Sequence, residues 1–419
     1  MKKNRTLNQW LWKWHFIAGL VSLPVVLILS VTGFIYLFKD DYEAPRQQDI
    51  RRVAVAGKAM SFQQQLQHAR KATTKKIDAM VLPTSDRQAT EFISGKFSHK
   101  SSYFVDPYTG SITGSIIAHE TEMNTIRKLH GELLMGKVGT LAVELIGSWL
   151  VVLILTGLYI WWPFDGFRLR GVFIPRINLG KRTFFRDLHA VTGFWLSILL
   201  LMTLAGGLPW TDVFGDNFKW VQRVTNTGYP ATWDSDAVKS QPPGKRLTVD
   251  EIVSKSESLQ LPGEVLIELP KDFEGVYSVS NISYEDLSLQ QKIHFDQYTG
   301  KILVSHSWAD VGILMRGRMW FMTFHQGQFG AWNWWLMATV ALLLSVMSAS
   351  AILSYVWRRR KGWDTPVVPA SFKVGYAVII ALAILAVVLP MFGMSVVLLV
   401  VIVKCREYFL TTLRKHPTT

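Results

Sequence analysis

Four histidines carry the chemistry that this sequence offers. His15 opens a long apolar run in LWKWHF, and His189 opens another in RDLHAVTGFW. His130 stands in KLHGELLMGKVG and His325 in FHQGQFG, each on the approach to a further apolar run. A single histidine at a membrane boundary ordinarily snorkels or makes a hydrogen bond. Four in matching places suit another task. Two imidazoles on one iron give a six-coordinate haem, which favours electron transfer over ligand binding. A path for transition-metal ions is the other chemistry that this residue type permits.

The matching places come from an internal repeat. His15 is followed by Gly19 and, further along, by Thr32-Gly33; His189 is followed by Gly193 and then by Ala205-Gly206-Gly207. YFVDPYTGSITG at 103–114 matches IHFDQYTGKIL at 293–303, and each reads as a strand, a glycine turn and a strand. A basic, amphipathic approach follows each hairpin and holds His130 or His325. The next helix ends in YIWWPF or YVWRRR. The plan is helix, domain, helix, written twice in parallel, with a pseudo-two-fold axis along the membrane normal. Such an axis pairs His15 with His189 and His130 with His325. His130 lies further from its span than His15 does. The outer pair therefore fits short interfacial helices that turn at Gly136–Gly139 and Gly327–Gly330.

Two haems make physical sense, because one group cannot relay an electron across about 30 Å of hydrocarbon. A macrocycle between helices needs apolar walls and small residues for close approach, here Gly19 and Gly193. Its carboxylates need donors. Lys13, Arg182 and Arg186 stand near the inner pair, and Arg127, Lys128, Arg316 and Arg318 near the outer one.

These residues must be held by membrane helices. The chain has 419 residues, 49% of them hydrophobic and 18% charged. Residues 16–38, 188–210, 329–357 and 374–403 carry no charge, and 138–164 carry only Glu144. Each is long enough to cross a bilayer. The first run is too long for a cleaved signal peptide and lacks a cleavage site, so it reads as a permanent anchor.

The net charge of +14 follows topology rather than nucleic acid. Lys2, Lys3, Arg5 and Lys13 precede the first span. Arg168, Arg170, Arg176, Lys181, Arg182 and Arg186 lie in the 165–187 loop, and Arg358, Arg359, Arg360, Lys361 and Lys373 in 358–373. The positive-inside rule makes all three cytoplasmic. The predicted order is therefore 1–38 (N-terminus and first span), 39–137 outside, 138–164 spanning and 165–187 inside. A second copy follows with 188–210 spanning, 211–328 outside, 329–357 spanning and 358–373 inside. Residues 374–403 form either one long helix or a hairpin broken at LPMFGM, and 404–419 form a tail.

Several residues have plainer readings. Glu144 is an acid inside a span, so a proton-handling role and an interfacial position both stand. Trp161, Trp162, Trp332, Trp334 and Trp335 read as aromatic belts. Pro24 and Pro209 kink or end helices. Cys405 is the only cysteine, which excludes iron–sulfur clusters and a structural zinc site. No nucleotide-binding loop appears. The electron donor is thus another protein, a quinol or a soluble reductant.

HFIAGL, DPYTG, KLHGELLMGKVG, LTGLYIWWP, RDLHAVTGFW, DQYTG and FHQGQFG, in this order from about residue 10 to 360, resemble the PepSY-associated transmembrane family. LPMFGMSVVLLV fits its tail. Within it the chain is most similar to inner-membrane siderophore reductases of the FoxB and PiuB type. The resemblance implies a bacterial inner-membrane protein with two bis-His haem b groups. It implies His15, His189, His130 and His325 as iron ligands and a ferric siderophore as acceptor. It also implies small α+β folds over about 58–118 and 246–304, with SFQQQLQHARKA and LTVDEIVSKSESL as their helices. The expected fold is a membrane α-helical bundle of four core spans plus a C-terminal span or hairpin. Two small α+β PepSY-like domains lie outside it. A non-redox peptide- or peptidase-binding membrane protein and a siderophore permease are the alternatives. The first leaves the four histidines unexplained. The second lacks a polar, broken-helix path.

Overall fold

A computed structural model describes residues 4–163, 169–241, 244–358, 367–369 and 371–415. Lys2, Lys3, Arg168, Arg359, Arg360 and Lys361, counted above, lie outside these residues. The chain begins with α1 (Arg5–Tyr36), two short helices α2 (Lys39–Arg46) and α3 (Gln48–Arg51), and α4 (Phe62–Ala72). Strands β1 (Ala79–Val81), β2 (Thr90–Ser94), β3 (Ser101–Val105) and β4 (Ile112–Ile117) follow. Then come α5 (Glu122–Glu132), α6 (Gly136–Trp161), α7 (Lys181–Gly207), α8 (Val213–Val224) and α9 (Val249–Ser258). The second strand set is β5 (Glu264–Glu268), β6 (Val276–Ile282), β7 (Gln291–Asp296) and β8 (Ile302–Ser307). The chain closes with α10 (Ile313–His325), α11 (Ala331–Arg358), α12 (Tyr376–Val388) and α13 (Pro390–Lys415).

These elements form two units. A helical unit holds Met1–Phe34, Lys128–Trp220 and Trp335–Thr419; a sheet unit holds Ile35–Arg127 and Val221–Trp334.

Among the described residues four helices are long and apolar enough to cross a membrane: Arg5–Tyr36, Gly136–Trp161, Lys181–Trp210 and Ala331–Arg358. The protein is a multi-pass membrane protein. Lipid tails are as apolar as leucine, so packing and interhelical hydrogen bonds hold such a bundle. Ile154 of α6, Leu196 and Leu200 of α7 and Val340 of α11 share one buried cluster. The hydroxyls of Ser30 on α1 and Ser345 on α11 lie 2.9 Å apart. Pro24 stays inside α1, and Pro209 sits in the turn that ends α7.

The last apolar run is two helices, not one. Leu389 leaves the helical region ahead of Pro390, with φ −118° and ψ 83°, as the residue before a proline tends to, and α13 starts on that proline. A Cβ on Gly393 would lie 2.6 Å from the Ala386 carbonyl oxygen. Seven residues of continuous helix would separate the two by about 10 Å, so the chain turns sharply here. The corner is anchored by Phe392, edge-on to Trp149 at 4.9 Å, and by the Trp149 indole N–H donated to Ser395 Oγ at 3.1 Å.

The strands expected in two small α+β domains all lie in the sheet unit. All eight strands form one antiparallel sheet in the order β4-β3-β2-β1-β5-β6-β7-β8. Its centre is the pairing of Met80 with Ile267. The reason is physical: β1 is only Ala79-Met80-Val81, all apolar, and would be the edge of a four-stranded sheet. Pairing with β5 removes both edges. Helices α4 and α9 cover one face, with Leu66 and Ala69 of one and Val249, Ile252 and Val253 of the other in a core with Met80, Phe92 and Val279. The Asp250 carboxylate accepts the backbone N–H groups of Phe62 and Gln63 and so caps α4 from α9.

The two D-x-Y-T-G turns are built alike. The Gly110 N–H donates to Asp106 O and the Gly300 N–H to Asp296 O, both at 2.9 Å. Both glycines have positive φ, at 73° and 65°. The register slips at the matching step before each turn, between Phe104 and Val105 and between His294 and Phe295.

Candidate functional site

His15 and His189 line one cavity of about 630 Å³ inside the helical unit. That volume lies in the range of about 300–1,000 Å³ that holds cofactor-sized ligands. Helices α1, α6, α7 and α11 all contribute to its walls, which are mainly apolar: Leu23, Val26, Leu153, Ile154, Phe194 and Ile352 are among them.

Each imidazole is held by its Nδ1. The Thr156 hydroxyl donates to Val152 O at 2.8 Å, so its oxygen accepts the Nδ1 proton of His15 at 3.0 Å. His189 Nδ1 lies 3.1 Å from Met347 O, and a carbonyl can only accept. Both rings therefore carry the proton on Nδ1, which leaves Nε2 as the basic nitrogen. A metal-binding histidine is ordinarily oriented in this way.

His130, on α5, repeats the arrangement on α1. Its Nδ1 lies 3.0 Å from Leu29 O and 3.2 Å from Thr32 Oγ1, and Thr32 itself donates to Ile28 O at 2.7 Å. The glycine after each threonine makes room for the ring. A Cβ on Gly157 would stand 3.1 Å from His15 Cε1, and one on Gly33 would stand 3.2 Å from His130 Cε1. Thr-Gly is thus one cradle used twice. Both pairs are plain in the sequence, but nothing in it says which helix faces which histidine.

Gly193 fits its expected role, since a Cβ there would meet Met347 Sδ at 3.3 Å. Gly19 lines the cavity, but a Cβ on it would find only Leu153 Cδ2, at 4.0 Å. The crowded position beside His15 is Gly157 instead.

The cavity has a cationic end. Arg176, Arg182, Arg186 and Arg358 line it, and no described acid does. Lys13, expected here, is not among the lining residues. Asp187 is fully buried next to the lining and holds Arg176 and Arg186. Arg176, Asp187 and Arg358 were not expected at the site. Ser348 is fully buried and lines the cavity, and its hydroxyl has no hydrogen-bond partner. A buried hydroxyl without a partner is costly unless a ligand or water supplies one. Two tethered imidazoles, apolar walls, four guanidinium groups and this hydroxyl suit a flat apolar macrocycle with two carboxylates and a central metal.

His325 is the last residue of α10, and positive-φ glycines at 327 and 330 separate that helix from α11. It belongs to the sheet unit. Arg127 donates through Nε and Nη2 to Asn124 Oδ1, at 3.1 and 3.0 Å. Arg316 Nε is buried without a hydrogen-bond partner. Arg318 is buried, and burial pulls its guanidinium below the usual arginine range against the opposing effect of Tyr229. Burial pushes the Tyr229 phenol up to about 12, against the charge of Arg318.

Glu144 is a structural acid. It is fully buried in α6, and its carboxylate accepts the N–H groups of Val213 and Phe214 at 2.9 and 2.8 Å. Those groups open α8, so Glu144 caps a helix N-terminus, where negative charge is favoured. Two of the belt tryptophans make specific bonds: Trp161 Nε1 donates to Val172 O at 3.2 Å and Trp334 Nε1 to Leu37 O at 2.9 Å. No group of three or more His, Cys, Asp or Glu suited to a bare metal ion occurs among the described residues.

The model of the PepSY-associated TM region matches residues 12–360. No curated protein matches the chain.

Proposed function

The chain belongs to the PepSY-associated transmembrane family, and on that footing we propose that it is a haem-b oxidoreductase of the bacterial inner membrane. It carries electrons from a donor on the cytoplasmic side to a ferric chelate outside, a ferric siderophore. The observation that carries this reading is the facing of His15 and His189 onto one cavity, each tethered by Nδ1. His15 and His189 would hold one haem, and His130, whose ring is tethered in the same way, is assigned to a second. When bound, haem iron supplies one-electron transfer between its ferric and ferrous states.

The protein residues do the positioning. Thr156 and the Met347 carbonyl fix the tautomer and the plane of the two inner imidazoles. The apolar walls would shield a bound haem and give it a low-dielectric setting. Arg182 and Arg186 would meet the carboxylates at the cationic end. The acceptor chemistry is consistent. Hard oxygen donors grip Fe(III), and one electron gives Fe(II), which they hold poorly.

The test is the absorption spectrum of the purified protein, expressed with haem supplied. Soret and alpha bands that sharpen on reduction with dithionite are expected; a colourless protein would overturn the reading. His15→Ala and His189→Ala should each remove the same haem and leave the other. Anaerobic mixing of the reduced protein with ferric chelates identifies the acceptor, by reoxidation of the bands and capture of Fe(II).

A further inference from the structure

Asp187 stands two residues before His189, and its side chain is fully buried. Its Oδ2 accepts Arg176 Nε at 2.6 Å and the Arg176 backbone N–H at 3.2 Å, while Oδ1 accepts Arg176 Nη2 at 2.9 Å. Oδ1 also accepts Arg186 Nη2 at 2.9 Å and Nε at 3.2 Å. One buried carboxylate thus takes five hydrogen bonds from two guanidinium groups and one backbone amide, and both arginines line the cavity.

The loop that carries Arg176 is fastened at other points as well. Trp161 and Trp195 donate to the carbonyls of Val172 and Phe173, each at 3.2 Å. Gly171 has positive φ, and a Cβ there would lie 2.8 Å from Arg176 Nε. The guanidinium of Arg176 is therefore wedged between Gly171 and Asp187 and has little freedom.

Charge then sets the ligand class. Among the described residues four arginines and no acid line the cavity, and Asp187 offsets one of the four charges. Arg182 and Arg186 are also exposed, so water already solvates their charges, and what they offer a ligand is a charge-assisted hydrogen bond at the mouth of an apolar space. Two carboxylates on the ligand would accept such bonds, and guanidinium forks are suited to carboxylates. Removing Asp187 would set Arg176 and Arg186 free to turn toward solvent.

We propose that Asp187 is a positioning residue that locks Arg176 and Arg186 at the cationic end of the cavity, so that the site selects a porphyrin with two free carboxylates. This rests on the haem reading above. It goes further by naming the part of the ligand that is recognised and the residue that organises the recognition.

The experiment compares binding of haem and of its dimethyl ester to full-length protein made without haem, in a His130→Ala background so that the inner site alone is counted. Affinity is read from the Soret band on titration and from the rate of loss to an excess haem scavenger. The unaltered inner site should prefer the free acid, and Asp187→Asn should lower that preference about tenfold or more, the usual size of an effect on outer-shell partners of a metal site. A residue that merely supported the fold would weaken both forms alike and leave the ratio unmoved. Failure of the unaltered site to bind either form would overturn the haem reading itself. Equal binding of acid and ester there, or an Asp187→Asn ratio that stays or rises, would overturn the proposal and leave the haem reading standing. Should Asp187→Asn not accumulate in membranes, Arg176→Gln and Arg186→Gln report the same ratio, and an unmoved ratio in both overturns the proposal.

Discussion

Thr156 holds His15 by its Nδ1, at 3.0 Å, across 141 residues of sequence. The threonine spends its own proton on Val152 O, so it can only accept from the ring. That relationship fixes the tautomer of the histidine before any ligand arrives.

Thr156→Val keeps the shape of the side chain and removes the acceptor. Inner-haem affinity should fall about 10- to 100-fold, as for other outer-shell partners, with the outer haem unaffected. Thr32→Val should cost less at His130, because Leu29 O still accepts from its Nδ1 at 3.0 Å. Haem content and dissociation rate of each site are the measurement. Unchanged inner-haem binding in Thr156→Val would show that the Thr156 bond does not orient His15.

The glycines separate a crowded position from an open one. Gly157→Ala places a methyl group 3.1 Å from His15 Cε1, so the ring must shift by a few tenths of an ångström. Gly19→Ala meets nothing nearer than 4.0 Å. Gly157→Ala should reduce the inner haem or alter its low-spin signature in electron paramagnetic resonance, while Gly19→Ala should leave both unchanged.

Glu144→Ala leaves the Val213 and Phe214 amides without their acceptor. A cost of about 1–3 kcal/mol is expected, seen as a lower thermal midpoint in detergent. Haem spectra and the pH dependence of electron transfer should not change. A shifted pH profile with normal stability would return Glu144 to a proton-handling role.

The sheet carries a pH-sensitive ion pair. Burial raises the Glu268 carboxyl, but Lys292 at 2.9 Å and Lys96 at 3.1 Å outweigh burial and hold it below the usual glutamate range. The unfolded group titrates near about 4.3 and binds more protons than the folded one as pH falls below that value. Its contribution is therefore full above about pH 4.3 and is lost as pH drops through the folded value. Protection against hydrogen exchange in β5–β7, corrected for the intrinsic slowing of amide exchange in acid, should fall as the pH drops below about 4.3, and Glu268→Gln should flatten that dependence.

The spans could be read because the absence of charge over about 20 residues is a local property. The inner pair could be read because the repeat put His15 and His189 in register. What escaped was pairing at long range. Thr156-Gly157 looks like any small-residue step until His15 faces it. Glu144 looked like an intramembrane acid because its partners, the amides of Val213 and Phe214, are about 70 residues away. Asp187 sits among six basic residues of its loop, and sequence alone gives it no partner. The joining of β1 to β5 rests on backbone hydrogen bonds, which leave no mark on side-chain periodicity.

That central seam has a consequence for biosynthesis. Strand β1 leaves the ribosome about 180 residues before β5, an interval of roughly 10–40 s at about 5–20 residues per second. Until β5 arrives, the first four strands have an apolar three-residue edge with no neighbour, open to pairing with another nascent chain. Slower translation should therefore lower the yield of correctly joined sheet. Pauses between residues 81 and 264 are the ones that should harm it.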